Sequence, residues 1–98
     1  MEKEFIFSLL NNIYGGLLTD KQKEVIELYY SCDLSLAEIA EIKNTSRNSV
    51  LDLLENAKKK LIKLEDSLQI YNKRQQIYSL LEQEETSLAK KIIEILEK

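Results

Sequence analysis

The chain has 98 residues with a net charge of -3, no proline, no histidine, two glycines and one cysteine. That length gives a single domain with a core too small to enclose a large cofactor, and the wealth of Leu, Ile, Lys and Glu predicts an all-α fold. An internal disulfide is excluded, the usual zinc ligand sets are missing, and no apolar run approaches the roughly 20 residues of a membrane span.

Phe5 to Leu18 carries apolar residues at 5, 6, 9, 10, 13, 14 and 17, the spacing of an amphipathic first helix. Gly15 and Gly16 end or loosen it; a phosphate-binding loop would need more glycines after a strand. Thr19 and Gln22 then form a capping box for a helix through about Tyr30, with Val25, Ile26, Leu28 and Tyr29 facing inward. The short link from Ser31 to Leu34 makes the next helix a spatial neighbour. Cys32, beside two tyrosines, reads as a packed small hydrophobe rather than a nucleophile.

Ser35 and Glu38 form a second capping box, flanked by Leu34 and Ile39 at staple positions. Lys43, Asn44 and Thr45 are left as a turn, in which Asn44 tolerates the left-handed conformation, and Ser46 caps the following helix. Helix, tight turn and helix at this spacing make a helix-turn-helix. From Ser46 the apolar positions 50, 54, 57, 61, 64, 68 and 71 alternate steps of four and three, a heptad seam. Nothing between Ser46 and Tyr71 breaks it, so one long rod is expected, with a bend around Asn72 to Gln76. Thr86 or Ser87 caps a last helix. The seam outruns what the front helix-turn-helix lobe at 17–57 can cover, so the rest of it packs on the chain's own C-terminal segment or on a second copy; the apolar surface of the seam and last helix together favours a homodimer through residues 58–98.

Charge is uneven: residues 1–45 sum to about -4, residues 46–63 to about +3 and the rest to about -2. If Val50, Leu53, Leu54 and Ala57 face the core, Asn48, Leu51, Asp52, Glu55 and Lys59 lie opposite, with Ser46 and Arg47 at the helix start. Ser46, Arg47, Asn48, Leu51, Asp52 and Lys59 are therefore the candidate nucleic-acid contacts. A cation at the positive helix end suits a bound phosphate or an ion pair with Glu38 or Glu41. Lys58, Lys59, Lys60 and Lys63 offer backbone contacts or a solvated face. Asp52 and Glu55 repel phosphates, and only a cytosine amino group gives such a carboxylate a good base contact. No nucleophile with a base, no paired catalytic carboxylates and no cofactor site is legible, so an enzyme is not expected.

The segment LLTDKQKEVIELYYSCDLSLAEIAEIKNTSRNSV, Leu17 to Val50, resembles the YlxM family, small bacterial proteins held to bind DNA through a motif like sigma factor region 4. LLTDKQ, IELYY, SLAEIAE and SR followed by V stand at the family's spacing, and the match loosens from LEDSLQIY onward. The resemblance implies an all-α lobe without a wing, a long helix, a helical tail and no enzymatic activity. Because the family is held to be encoded beside the signal recognition particle GTPase, it implies a regulator of that pathway, or an adaptor binding its RNA or protein; the cytoplasmic location is expected from the missing apolar span and from the start MEKEFIF, which does not read as a signal peptide. Two stretches depart from the pattern. Lys43, Asn44 and Thr45 replace phenylalanine, glycine and valine in the turn. After Ser46 and Arg47 the family tends to read QAVYDNIKR, so that an aromatic becomes Leu51 and a basic pair becomes Glu55 and Asn56. Arg47 and Asp52 carry over, and Asn48 stands as the shorter amide where the family has glutamine.

Overall fold

The computed structural model describes residues 3–97, which form six α-helices and no strand. The chain divides into two compact units between Leu68 and Gln69. The boundary expected at 57/58 falls inside a helix.

In the first unit, α1 spans Ile6–Tyr14 and gives way to a 3₁₀ turn at Gly15–Leu17. It buries Phe7, Leu10, Asn11 and Tyr14, while Phe5 is 75% exposed and Ile6 and Leu9 face outward. The inward face is thus rotated from the one expected. This helix has no charged residue and is apolar around much of its girth, so periodicity alone cannot choose a face. Partners choose it: the Phe7 ring lies 5.5 Å from that of Tyr30, and the Lys58 ammonium sits 5.0 Å above it. Asn11 donates from Nδ2 to the Lys23 carbonyl at 3.3 Å, tying α1 to the next helix. Gly15 is buried at that crossing, where a Cβ would come within 3.1 Å of the Lys23 side chain.

α2 spans Asp20–Ile26, and its capping box is complete: Gln22 N–H donates to Thr19 Oγ1 and Thr19 N–H to Gln22 Oε1, both at 3.1 Å. The helix continues through a π turn at Glu27–Ser31, closed by Cys32 N–H on Glu27 O. The wider turn shifts the phase of everything after it. Tyr30 is therefore buried where Tyr29 was expected, and Cys32 is exposed rather than packed. Burial, with Glu4, Tyr29 and Glu55 adding to it, pushes the Tyr30 phenol well above its ordinary range, so it stays neutral. Asp33 then takes a left-handed φ of 55°. Lys3 closes this end of the helix, donating to Tyr29 O at 2.8 Å and Leu34 O at 2.6 Å while lying over the Tyr29 ring.

α3 spans Leu36–Ile42 behind the second capping box, with Glu38 N–H on Ser35 Oγ at 3.1 Å and Ser35 N–H on Glu38 Oε1 at 3.0 Å. It ends in a Schellman arrangement. Asn44 adopts φ 53°, its N–H reaches Glu41 O at 3.2 Å, and Thr45 N–H reaches Ala40 O at 2.9 Å. Ser46 Oγ then accepts from Ser49 N–H at 3.0 Å and starts α4, Arg47–Leu68. α4 buries Val50, Leu54, Ala57 and Leu61, and α1, α2 and α3 all pack against it. Tyr14 adds a hydrogen bond from its hydroxyl to Glu65 Oε1 at 2.5 Å. Beyond Leu61 the seam opens, and Leu68 is 43% exposed.

The rod expected to reach Tyr71 stops at Leu68, because Gln69 adopts a left-handed φ of 55°. The expected bend at Asn72 to Gln76 lies instead within a regular helix. In the second unit, α5 spans Ile70–Leu81 and α6 spans Ser87–Leu96, capped by Thr86 Oγ1 accepting from Ala89 N–H at 3.1 Å.

A left-handed Asn at the turn predicts opposite outcomes for two substitutions. Asn44→Ala should lower unfolding free energy by about 1 kcal/mol, while Asn44→Gly should leave it unchanged or raise it, as read by urea unfolding.

Candidate nucleic-acid interface

Both helices of the motif start at side-chain caps, and the reversal between them runs through a left-handed asparagine rather than a glycine. Ser35 and Glu38 fix the start of α3, Asn44 the reversal, and Ser46 the start of α4. With Val50, Leu54, Ala57 and Leu61 turned inward, α4 presents Asn48, Asp52 and Lys59 to solvent, with Ser46 and Arg47 exposed at its first turn. Five of the six candidate residues thus lie on the outer surface. Leu51 is half-buried on the flank of α4, lining a depression with Tyr29, Leu36 and Lys58. From Arg47 to Lys59 the outer face runs about 18 Å along the helix.

The ion pairs redistribute the charges read from sequence. Lys58 is turned toward Glu4 at 3.9 Å and Glu55 at 3.6 Å, and is not available to a phosphate. Glu55 is correspondingly engaged along the flank. Arg47 makes no ion pair with Glu38 or Glu41 among the described residues, since Glu38 is used by the capping box. Arg47 is thus left as an uncompensated cation at the positive end of a helix dipole. Asp52 is likewise unpaired, and is the carboxylate that an approaching phosphate backbone would meet.

A family model described as "Putative helix-turn-helix protein, YlxM / p13 like" matches residues 1–98. The chain belongs to this family. Among curated relatives, a UPF0122 protein of Clostridium kluyveri is 46% identical over 77 residues, covering 79% of this chain and 69% of the relative. One from Clostridium perfringens is 45% identical over 83 residues, with 85% and 74% covered. Another, from Caldanaerobacter subterraneus subsp. tengcongensis, is 45% identical over 83 residues, with 84% and 71% covered. The description of that family is of helix-turn-helix proteins. Among the described residues no group of His, Cys, Asp or Glu could hold a metal ion, and no helix is long and apolar enough to cross a membrane.

The sequence missed the engagement of Lys58, because Glu4 is distant in the chain and the i,i+3 spacing to Glu55 is common to many idle surface pairs. The capping carboxylate gives a pH-dependent check on the motif. The Glu38 carboxyl is held below its ordinary range, chiefly because it accepts the Ser35 amide, with the Ser35 hydroxyl contributing next. A lowered folded-state value means stabilisation present above the unfolded value and lost as pH falls through the folded one. The advantage in unfolding temperature of the wild type over Glu38→Ala should therefore be full near neutrality and should shrink as the pH is taken through and below about 4.

Proposed function

We propose that the first unit binds duplex nucleic acid weakly through the N-terminal turns of α4, as a regulatory helix-turn-helix protein. Following the family resemblance, we place that role in the signal recognition particle pathway, in the cytoplasm. The observation that carries the reading is Arg47, exposed and without an ion-pair partner among the described residues, at the positive end of α4 between Ser46 and Asn48. Ser46, Arg47 and Lys59 contact phosphates, Asn48 meets a base edge or a phosphate, and Leu51 contributes apolar contact from the flank. Asp52 favours a second reading, an adaptor that meets a basic protein or RNA-bound partner of the particle and has no real affinity for DNA.

Fluorescence anisotropy against random duplex DNA and signal recognition particle RNA, at low and physiological salt, separates the two. Saturable binding that weakens with a log–log salt slope of about -0.9 per phosphate contact is expected, roughly tenfold weaker in Arg47→Glu and stronger in Asp52→Asn. No binding at micromolar protein in low salt would remove the nucleic-acid reading and leave the adaptor.

We also propose that the second unit associates with that of a second copy. α5 buries no residue, Leu80 is 73% and Ile95 70% exposed, and the unit is shorter than the roughly 40 residues below which a lone domain usually needs oligomerisation or a staple. Sedimentation equilibrium should give a dimer for the wild type and a monomer for the Leu80→Glu, Ile95→Glu double variant; a wild-type monomer at high micromolar concentration would refute the association.

A further inference from the structure

A cleft of about 330 Å³ opens within the first unit between α2, the turn of the motif and the start of α4. That volume falls in the range of small-molecule sites. Buried Val25, Ile39 and Val50 and half-buried Leu28 and Leu53 give it an apolar floor. Its mouth is polar and carries Lys21, Glu24, Lys43 and Thr45. Lys43 is paired with Glu24. Among the described residues Lys21 makes no ion pair and the Thr45 hydroxyl makes no hydrogen bond. Two ammonium groups against one carboxylate leave positive charge in surplus directly beside an apolar floor. A cation and an apolar surface of this size are complemented together by one kind of molecule, an anion with a short apolar tail.

We propose that this cleft binds a small amphipathic carboxylate, an alkyl or aryl acid. Its apolar part lies on Val25, Leu28 and Leu53, and its carboxylate meets Lys21 and Thr45. At roughly 30 Å³ per water-sized group the cleft takes on the order of ten heavy atoms, the size of octanoate. The floor and mouth come from α2 with its π turn, α3, the turn of the motif and α4, so the site exists only in the folded unit. Its occupant stabilises the fold by mass action and fixes the turn against α2. The cleft lies beside Ser46 and the first turn of α4, since Thr45 and Ser49 line it, but its occupant needs no nucleic acid to be bound.

The test is a titration of the full ¹⁵N-labelled chain with sodium octanoate, kept below its micelle-forming concentration and followed by amide correlation spectra. The expected result is saturable shifts clustered at Lys43, Thr45, Ser49 and Leu53, with a rise in unfolding temperature. Lys21→Glu places an acidic residue in the first turn of α2, where the helix dipole favours it, so the variant should fold and should bind octanoate about tenfold more weakly. Three results would each overturn the proposal: no saturable shift, undiminished affinity in Lys21→Glu, or equal binding of 1-octanol, which lacks the charged head.

Discussion

Val50, Leu54, Ala57 and Leu61 stand at steps of four, three and four along α4, and α1, α2 and α3 all converge on that one line. Ala57 and Leu61 are fully buried. At about 1.5–3 kcal/mol for each large aliphatic side chain removed from water, this short seam is a dominant favourable contribution in so small a unit. Ala57 matters for the opposite reason to its neighbours: a larger side chain there would push the crossing helices apart. The seam also decides which residues can meet a ligand. Once these four are inward, Asn48, Asp52 and Lys59 must be outward, and Leu51 and Lys58 must lie on a flank. Function on this lobe is therefore fixed by packing before any contact is made.

The ends of the packed helices are fixed by polar side chains in place of the glycines that usually do this. Asp33 and Asn44 both take the left-handed conformation, and each turns the chain between helices that share the seam. Thr19, Ser35, Ser46 and Thr86 each accept an amide N–H three residues ahead. Such local satisfaction lets short helices such as α2 and α3 keep defined ends, although neither is long enough to be stable by propensity. Lys3 extends the same economy to the end of α2, where one ammonium serves two carbonyls, a carboxylate and an aromatic ring.

What the sequence disclosed follows from this. Caps are local, so Thr19–Gln22, Ser35–Glu38, Asn44 and Ser46 were legible from spacing alone, the last cap was narrowed to Thr86 or Ser87, and the seam was legible as far as Leu61. Phase and partner choice are not local. The π turn at Glu27–Ser31 has no sequence mark, and the phase shift it brings accompanies the exchange of Tyr29 for Tyr30 in the core and the exposure of Cys32. The face of α1 was illegible because an uncharged helix offers two apolar sides, and contact with Tyr30 and Lys58 selects one. The stop at Gln69 was illegible for a related reason: a left-handed residue there need not be glycine or asparagine when its neighbours hold it. Of the outer-face residues, their positions were legible and their pairings were not.

Those pairings change the electrostatic argument about the lobe. Read as a string, residues 46–63 set two carboxylates, Asp52 and Glu55, against the cations of the same helix, which makes a poor surface for a polyanion. In the folded unit Glu55 and Lys58 compensate each other along the flank, with Glu4 joining from the N-terminal segment. A surface pair of this kind adds little to stability, but it removes one negative charge from the side a duplex would approach. Arg47, Lys59, Lys60 and Lys63 then face outward with Asp52 as their unpaired opponent on the same stretch of helix. The surplus of positive charge is unchanged while its opposition is halved. Whether α4 can sit against phosphates thus reduces to the balance between Arg47, which has no ion-pair partner among the described residues, and one carboxylate little more than a turn further along the helix.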